Sequence, residues 1–263
     1  MSAIQLTHLA ETHPHPRDAY IQFEESTHTY TITHPETHKV ESTHDRYTSV
    51  TTWCHQHFEP FNEDKIITSM MNSKRWPQSK YYGMTREEIK AQWEANRVDA
   101  AQAGTQMHAD IEAFYNNHPV QNDSVEYHYF QKFEEMRQRK YPTFEPYRTE
   151  WIVFHEEWGL AGSIDMLYRD TSTNELWIYD WKRSKEIKKT NPWQSAITPE
   201  LAHLPDSNYW HYALQLNTYR AILEAKYGMR VAGMRLVCLH PNHPSYQQIP
   251  VCHIDVEELL SVE

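Results

Sequence analysis

At 263 residues, with 39% hydrophobic and 13% aromatic side chains, the chain can bury one large core or two small ones. Its net charge of −11 excludes a protein that coats nucleic acid through a generally basic surface, but is compatible with a local basic channel or a bound metal ion. The three cysteines are scattered, so they cannot form a disulfide framework or hold a four-cysteine iron–sulfur cluster, which favours a reducing compartment.

No stretch has the pattern of a membrane span or a secretion signal. The first twenty residues carry Glu11 and Asp18 but only one arginine, which makes a poor mitochondrial transit peptide. We therefore expect an intracellular protein, cytoplasmic or nuclear, or in the host cytoplasm if the protein is viral. The eighteen histidines lack zinc-site spacing, since "HEEWG" ends in Gly159 where a second histidine is required. We expect most of them in exposed loops and hairpins.

The N-terminal segments have little helical periodicity. Residues 1–18 are polar and contain prolines, which predicts a loose arm. Residues 21–40 are rich in β-branched and aromatic side chains, which predicts a hairpin with its turn at Pro35. Residues 47–53 should begin a further ordered segment.

The middle of the chain is predicted to be helical. Thr85 followed by Glu88 has the capping-box spacing, so a helix should begin there. A second helix should begin near Gly104, and a third should run from Ser124 to Arg139.

The remainder alternates between strands and helices. The predicted elements are strands at 148–157, 158–170 and 174–184, a helix at 207–228, strands at 234–240 and 246–252, and a terminal helix after Asp255. This order predicts an α/β (α+β) fold in which a mixed central sheet is flanked by helices, with an N-terminal helical addition.

The apolar strand "ELWIYDWKRSK" ends in an acid and a base. Strand alternation places Asp180 and Lys182 on one face, and Asp165 lies on the preceding strand, which should be its antiparallel neighbour. Adjacent carboxylates repel each other unless a cation lies between them, and Mg²⁺ or Mn²⁺ suits such oxygen ligands. Lys182 could then orient a water molecule or stabilise charge on a phosphate. The alternative is a surface ion pair between Asp180 and Lys182.

Three further groups accompany these residues. His108 and Glu112 are one helical turn apart, and so are Gln215 and Tyr219. A basic group follows the third strand, formed by Lys182, Arg183, Lys185, Lys188 and Lys189.

The motifs "GTQMH", "GSID", "DWK" and "QLNTY", in this order, resemble those of RecB-type nucleases in the PD-(D/E)xK superfamily. Similar single-domain members include phage- and virus-encoded exonucleases and the mitochondrial genome maintenance exonuclease. The resemblance covers about residues 100–225 and implies a restriction-endonuclease-like core.

The resemblance also implies roles for individual residues. Metal would be bound by three side chains and one backbone carbonyl, those of His108, Asp165, Asp180 and Trp181 (carbonyl). Lys182 would be catalytic together with the two aspartates, and Gln215 and Tyr219 would lie beside the DNA backbone. Glu112 and Glu150 are candidates for outer-shell or additional metal ligands.

The chain departs from the family pattern in two places. Arg183 and Ser184 stand where many relatives have threonine and glycine, which puts any contact of that threonine in doubt. The cysteine cluster of some relatives is missing, so no iron–sulfur cluster is expected.

A basic and aromatic stretch, "SKRWPQSKYYGM" at 73–84, suits unpaired DNA, because aromatic rings stack on bases and cations contact phosphates. Its candidate DNA-binding residues are Trp76, Tyr81 and Tyr82, together with Arg183 and Lys185 after the third strand. The alternative is a partly buried aromatic loop.

Together these patterns predict a Mg²⁺- or Mn²⁺-dependent DNA exonuclease. It would act on single-stranded ends in DNA replication, recombination or repair. Residues 1–100 would form an arm, a hairpin and a helical region that could act as a DNA-binding arch, and residues 101–263 the nuclease core. The alternatives are a structure-selective endonuclease and a non-catalytic nucleic-acid-binding module with the same fold.

Overall fold

Two sheets organise residues 6–260, the part of the chain that the computed structural model describes. The smaller sheet is antiparallel and consists of β1 (Ile21–Glu24), β2 (Thr29–Thr33) and β3 (Val40–Ser42). The predicted hairpin is therefore a three-stranded meander, and Pro35 lies in its second turn. Its buried side chains, which include Ile21 and Ile32, pack against Phe154 of the larger sheet.

The N-terminal segment is packed against the rest of the chain. It forms α1 (His8–Thr12) and a short 3₁₀ helix (Pro16–Tyr20). Leu9 is buried, and the Arg17 guanidinium lies 4.0 Å from the centre of the Phe154 ring and 2.9 Å from Glu156 Oε1. The prediction of a loose arm is wrong for residues 6–18, because apolar burial and ion pairs hold them; residues 1–5 lie outside the described part.

The larger sheet is mixed, as predicted. Its strands are β4 (Thr48–Ser49), β5 (Phe144–His155), β6 (Leu160–Asp170), β7 (Glu175–Lys182), β8 (Val231–Cys238) and β9 (Gln247–Pro250). The order is β4-β6-β7-β8-β9, and β5 pairs with β6. The β4–β6 and β7–β8 pairs are parallel and the others antiparallel, which confirms the predicted antiparallel pairing of the two aspartate-bearing strands.

One edge of β6 is left open. Because β5 occupies one edge of β6 along its length, β4 and β7 must share the other. β4 pairs there with Leu160 and Ala161, and β7 pairs from Met166 onward. Among the described strands, none pairs with residues 162–165 on that edge. Backbone and side chains at the opening are therefore free to contact other groups.

Helices cover the two faces of the larger sheet. They are α2 (Val50–Gln56), α3 (Glu63–Met71), α4 (Arg86–Tyr115), α5 (Val125–Lys140), α6 (Asn208–Lys226) and α7 (Glu257–Leu260). Ile178 of β7 packs in one core with α6, and Trp181 packs in the other with α4 and α5. Strand alternation thus separates the two faces of β7 as predicted. No helix within residues 6–260 is long and apolar enough to cross a membrane.

The helical middle differs from the prediction in one respect. The capping box is confirmed, since Glu88 N–H donates to Thr85 Oγ1 (3.2 Å) and Thr85 N–H donates to Glu88 Oε2 (2.7 Å). The two helices predicted after it are one helix of 30 residues, α4. Gly104 does not interrupt α4, because an interior glycine costs a helix only about 1 kcal/mol. The domain boundary proposed near residue 100 falls inside α4.

Candidate active site

An imidazole and three carboxylates meet at the open edge of β6. His108, from α4, points one ring nitrogen at the Trp181 carbonyl, with 3.0 Å between Nε2 and O. Its other nitrogen, Nδ1, lies 3.3 Å from Glu150 Oε1 and 3.7 Å from Asp165 Oδ2. Both nitrogens face acceptors, an arrangement that suits the protonated ring.

The pairing of β6 and β7 fixes the two aspartates. Asp165 and Asp180 lie one residue beyond the last ladder pair, Met166 and Tyr179, and therefore face each other across the opening. The Trp181 N–H donates to Asp165 Oδ2 over 2.9 Å, so the carboxylate replaces a backbone acceptor at the point where the ladder ends. The side chain of Asp165 is thereby held in place by the neighbouring strand.

Asp180 and Lys182 form a buried pair. Asp180 is 3% exposed, and Lys182 Nζ lies 2.7 Å from its Oδ2. The Tyr212 ring of α6 covers the ammonium group, with 4.5 Å from Nζ to the ring centre. The alternative of a surface ion pair is therefore wrong, because the Asp180 carboxylate is buried and the Lys182 side chain is only 18% exposed.

Burial and mutual repulsion shift the pKa values at this site. Burial raises the pKa of Asp180 to about 6, helped by Asp165 and opposed by Lys182. Burial likewise raises the pKa of Asp165. For His108, burial favours a lower pKa, but the Asp165 and Glu150 carboxylates outweigh it and raise the pKa to about 9. The site therefore favours additional positive charge.

The donor atoms at the opening are suitable for a hard divalent cation. Asp180 Oδ2 is buried, and Lys182 Nζ is its ionic partner at 2.7 Å. Ligand atoms of His108, Glu150 and Asp165 lie within 4.8 Å of one another. Carboxylate and carbonyl oxygens with one imidazole match the preferences of Mg²⁺ and Mn²⁺. Divalent metals are also the cofactors of the nuclease family that the sequence resembles.

Glu150 reaches this cluster through an unusual backbone conformation. Its φ is +43°, in the left-handed region that costs a non-glycine residue on the order of 1–3 kcal/mol. Ser163 Oγ donates to its Oε2 over 3.0 Å. Glu112 lies one helical turn beyond His108, and burial together with the Glu150 charge raises its pKa to about 7. Both candidate outer-shell glutamates thus lie near the imidazole.

The α6 residues occupy different positions. Gln215 lies at the surface and donates from Nε2 to Thr51 Oγ1 over 3.1 Å. Tyr219 is 3% exposed and packs against Gly162, where a Cβ atom would lie 2.7 Å from the tyrosine oxygen. The glycine of "GSID" therefore leaves room for the tyrosine of "QLNTY". Contact of Gln215 and Tyr219 with DNA stays a prediction.

The predicted basic and aromatic residues are dispersed. Arg183 Nε donates to Glu126 Oε1 of α5 over 2.7 Å, whereas Lys185 is exposed. Tyr81 accepts a hydrogen bond from the Trp93 indole over 2.9 Å and is partly buried. Trp76 is partly buried and Tyr82 is exposed, so the stretch combines a packed loop with one free ring.

Sequence reasoning missed two residues at the site, Tyr212 and Ser163. Tyr212 lies on the α6 face that also carries Gln215 and Tyr219, so the i, i+3, i+7 spacing could have identified it. Ser163 gave no such signal, since its contact depends on the conformation of Glu150.

The family model described as the PD-(D/E)XK nuclease superfamily matches residues 121–260, which is more than half of the chain. The match includes Asp165, Asp180, Lys182 and the whole of α6, and His108 lies N-terminal to it. A comparison with curated proteins gave no significant match.

Proposed function

The chain belongs to the PD-(D/E)XK nuclease superfamily, and on that premise we propose that it is a Mg²⁺- or Mn²⁺-dependent deoxyribonuclease that degrades DNA from single-stranded ends. Membership itself makes the protein a nuclease with a nucleic-acid substrate. The exonuclease mode, the RecB-like and viral subtype, and a role in DNA replication, recombination or repair belong to the proposal.

The observation that carries this proposal is the convergence of Asp165, Asp180, Lys182 and His108 at one opening of the sheet. Two buried carboxylates with raised pKa values are unfavourable in a structural core. A metal ion bound to them would offset that cost. Such clustering of perturbed groups is typical of catalytic sites.

The metal ligands would be Asp165, Asp180, the Trp181 carbonyl and His108, whose ring would release a proton when the ion binds. A bound divalent ion supplies Lewis-acid stabilisation of phosphate charge and lowers the pKa of water. The hydrogen bond from Trp181 N–H keeps Asp165 oriented, and Glu150 fixes the His108 ring through Nδ1. These contacts organise the ligand set before substrate arrives.

Lys182 is proposed to act on the attacking water and on the charge of the phosphate. Its pKa would be lowered by burial, but Asp180 and Asp165 raise it, so the ammonium form predominates. In that form Lys182 orients the attacking water and stabilises the negative charge that develops on the phosphate. The Tyr212 ring limits where the ammonium can move.

The DNA-binding surface is proposed to combine the α6 residues with the N-terminal region. Gln215 and Tyr219 would act nearest the metal. The incoming strand would be contacted by the exposed Lys185 and Tyr82. The partly buried Arg183, Trp76 and Tyr81 would complete this surface. Residues 1–100 would supply the cover of the site and residues 101–263 the catalytic core. Since the net charge is −11, few phosphates would be neutralised, and affinity should fall only gently with salt.

The test compares end-labelled linear single strands with covalently closed circles of the same sequence. Cleavage of the linear strand alone, in Mg²⁺ or Mn²⁺ but not in EDTA, is the expected result. Equal rates on both would show that no free end is needed and would favour an endonuclease. Asp180→Asn, purified in the same way, should cleave neither substrate.

A further inference from the structure

A cleft of about 1600 Å³ lies between α3 with the short 3₁₀ helix after it (Trp76–Gln78) and the loop that precedes α6. This volume exceeds the roughly 300–1,000 Å³ typical of small-molecule sites. The space is open rather than enclosed, and its occupant is therefore expected to be an extended chain.

The cleft displays large apolar side chains on fixed backbone. Phe61 and Ile197 line it at 71% and 54% exposure, and Trp193, next to the lining residue Gln194, is 89% exposed. The loop that carries Trp193 and Ile197 is held by backbone and side-chain hydrogen bonds, such as Ile197 N–H to the His57 carbonyl at 2.8 Å. Exposed aromatic surface on an ordered loop is typical of a binding site.

The cleft also contains cations without ionic partners. Lys65 and Arg75 line it, and neither forms an ion pair with any of residues 6–260. Of the acidic lining residues, Glu59 and Asp206, the second is bound by His211 Nε2 at 2.8 Å. In a chain with a net charge of −11, two unpaired cations beside exposed aromatic rings indicate an anionic, base-bearing ligand.

Residues of α6 border both the cleft and the candidate active site. His211 lines it and stacks on Phe58, with 3.9 Å between ring centres. The next residue, Tyr212, covers the Lys182 ammonium. Thr52 also lines the cleft, and its neighbour Thr51 accepts a hydrogen bond from Gln215. The path proposed for a strand between the catalytic edge and the cleft therefore runs along α6.

We propose that this cleft binds the unpaired strand of the DNA substrate, with a base stacked on Phe61 and phosphates at Lys65 and Arg75. A further base would stack on the exposed Trp193, which adjoins the lining residue Gln194. The inference deepens the proposed nuclease function and rests on it. It places the main stacking surface at residues that the sequence patterns did not indicate. The Tyr81 ring packs against Trp93, and its hydroxyl accepts a hydrogen bond from the Trp93 indole, so Tyr81 is already engaged within the protein.

The test measures binding of a fluorescent twelve-residue oligothymidine by anisotropy in EDTA, where no cleavage occurs. Phe61→Ala and Trp193→Ala each remove the ring on which one base would stack, so each should raise the dissociation constant roughly tenfold. Val40→Ala, at an exposed apolar position on β3, is the matched control and should bind like wild type. Wild-type affinity in both aromatic variants would overturn the proposal.

Salt dependence tests the cations separately. Lys65→Gln and Arg75→Gln should each reduce the slope of log affinity against log salt by about 0.7, the value per phosphate for single strands. Arg230→Gln, an exposed position paired with Glu175 at the start of β7, should leave the slope unchanged. Unchanged slopes in both cleft variants would show that the phosphates lie elsewhere.

A small substrate separates this inference from the proposed function. The p-nitrophenyl ester of thymidine 5′-phosphate is too short to extend along the cleft, so Phe61→Ala and Trp193→Ala should hydrolyse it at the wild-type rate. An equal loss on the ester and the oligonucleotide would overturn the cleft proposal, because the variants would then act through the active site. If wild type binds the strand through the cleft but hydrolyses neither substrate, the proposed function fails and the cleft assignment stands.

Discussion

Two clusters of one histidine and two carboxylates each include one residue of β5, and they have opposite electrostatic character. The first joins His108 to Glu150 and Asp165, and the second is the sequence-adjacent group His155, Glu156 and Glu157. In the first, the carboxylates raise the pKa of the imidazole to about 9. In the second, burial and the Lys226 charge lower the pKa of His155 to about 4.

The difference lies in the cations that each cluster already has. Glu156 is paired with Arg17 at 2.9 Å, and Lys226 donates to Glu157 Oε1 over 2.7 Å. His155 is stacked on Trp158 with 3.6 Å between ring centres and stays neutral. The second cluster is thus neutralised by protein side chains, and its function is to attach the N-terminal segment and α6 to the sheet.

The first cluster is left short of positive charge. Glu150, Asp165 and the adjacent Asp180 are balanced within the protein by Lys182 and by the protonated His108. Residue type alone therefore does not identify a metal site. The decisive feature is whether arginine or lysine side chains already satisfy the carboxylates.

The largest expected effect is on DNA cleavage, which should depend on the first cluster and not on the second. Asp165→Asn, Asp180→Asn and Lys182→Ala should each lower DNA cleavage by roughly 10³-fold or more, the scale of loss when a group acting in the transition state is removed. The fold should persist, since burial disfavours the charges of both aspartates. Glu157→Gln in the second cluster should keep full activity. Undiminished Mg²⁺-dependent cleavage by Asp180→Asn would refute the catalytic assignment.

The second prediction concerns stability. Arg17→Ala leaves the Glu156 carboxylate buried without its closest cation, which should lower the free energy of unfolding by about 3 kcal/mol. Urea titration measures the loss, and activity per folded molecule should not change. Arg97→Ala, which removes an exposed pair with Glu94, should cause no measurable loss of stability, because solvent screens that pair. Equal losses would mean that the Arg17 pair is no more than a surface contact.

Much of the framework behind this comparison was predictable from local patterns. Two-residue alternation located β7 and its charged end, and the Thr85–Glu88 spacing located the start of α4. The meeting of Asp165 with Asp180 followed from the turn between their strands. These patterns lie within short segments, so they can be recognised without knowledge of the tertiary structure.

The rest depended on contacts between distant segments. Glu150 turns toward His108 only because its φ is positive, and strand periodicity does not encode that conformation. Arg183 follows Lys182 in sequence, yet Glu126 of α5 binds it. The anchoring of residues 6–18 was missed for the same reason, since Arg17 and Glu156 are far apart in the chain.

The third prediction uses the low pKa of His155. Between pH 6.5 and about 4 the unfolded chain binds a proton at this position and the folded protein does not, so stability is lost as the pH falls through that window. The maximum loss from this group is about 3 kcal/mol, at 1.36 kcal/mol per pH unit. His155→Phe can still stack on Trp158 but cannot titrate. Its unfolding free energy should therefore fall less than that of wild type between pH 7 and pH 4, and parallel curves would contradict the assignment.

The smallest expected effect is on Mn²⁺ affinity, and it compares the histidines of the two clusters. His108→Ala should weaken Mn²⁺ binding by roughly tenfold, because imidazole is a better ligand for Mn²⁺ than for Mg²⁺ and its removal leaves oxygen donors alone. Binding of DNA in EDTA should change less, since His108 contacts the carboxylates and the Trp181 carbonyl. His155→Ala is the matched control and should leave Mn²⁺ affinity unchanged, as Arg17 and Lys226 neutralise its neighbours. Isothermal titration calorimetry at pH 7.5 measures both constants. If the His108 variant binds Mn²⁺ like wild type, that residue only packs α4 against the sheet, and the electrostatic difference between the clusters would have no role in metal binding.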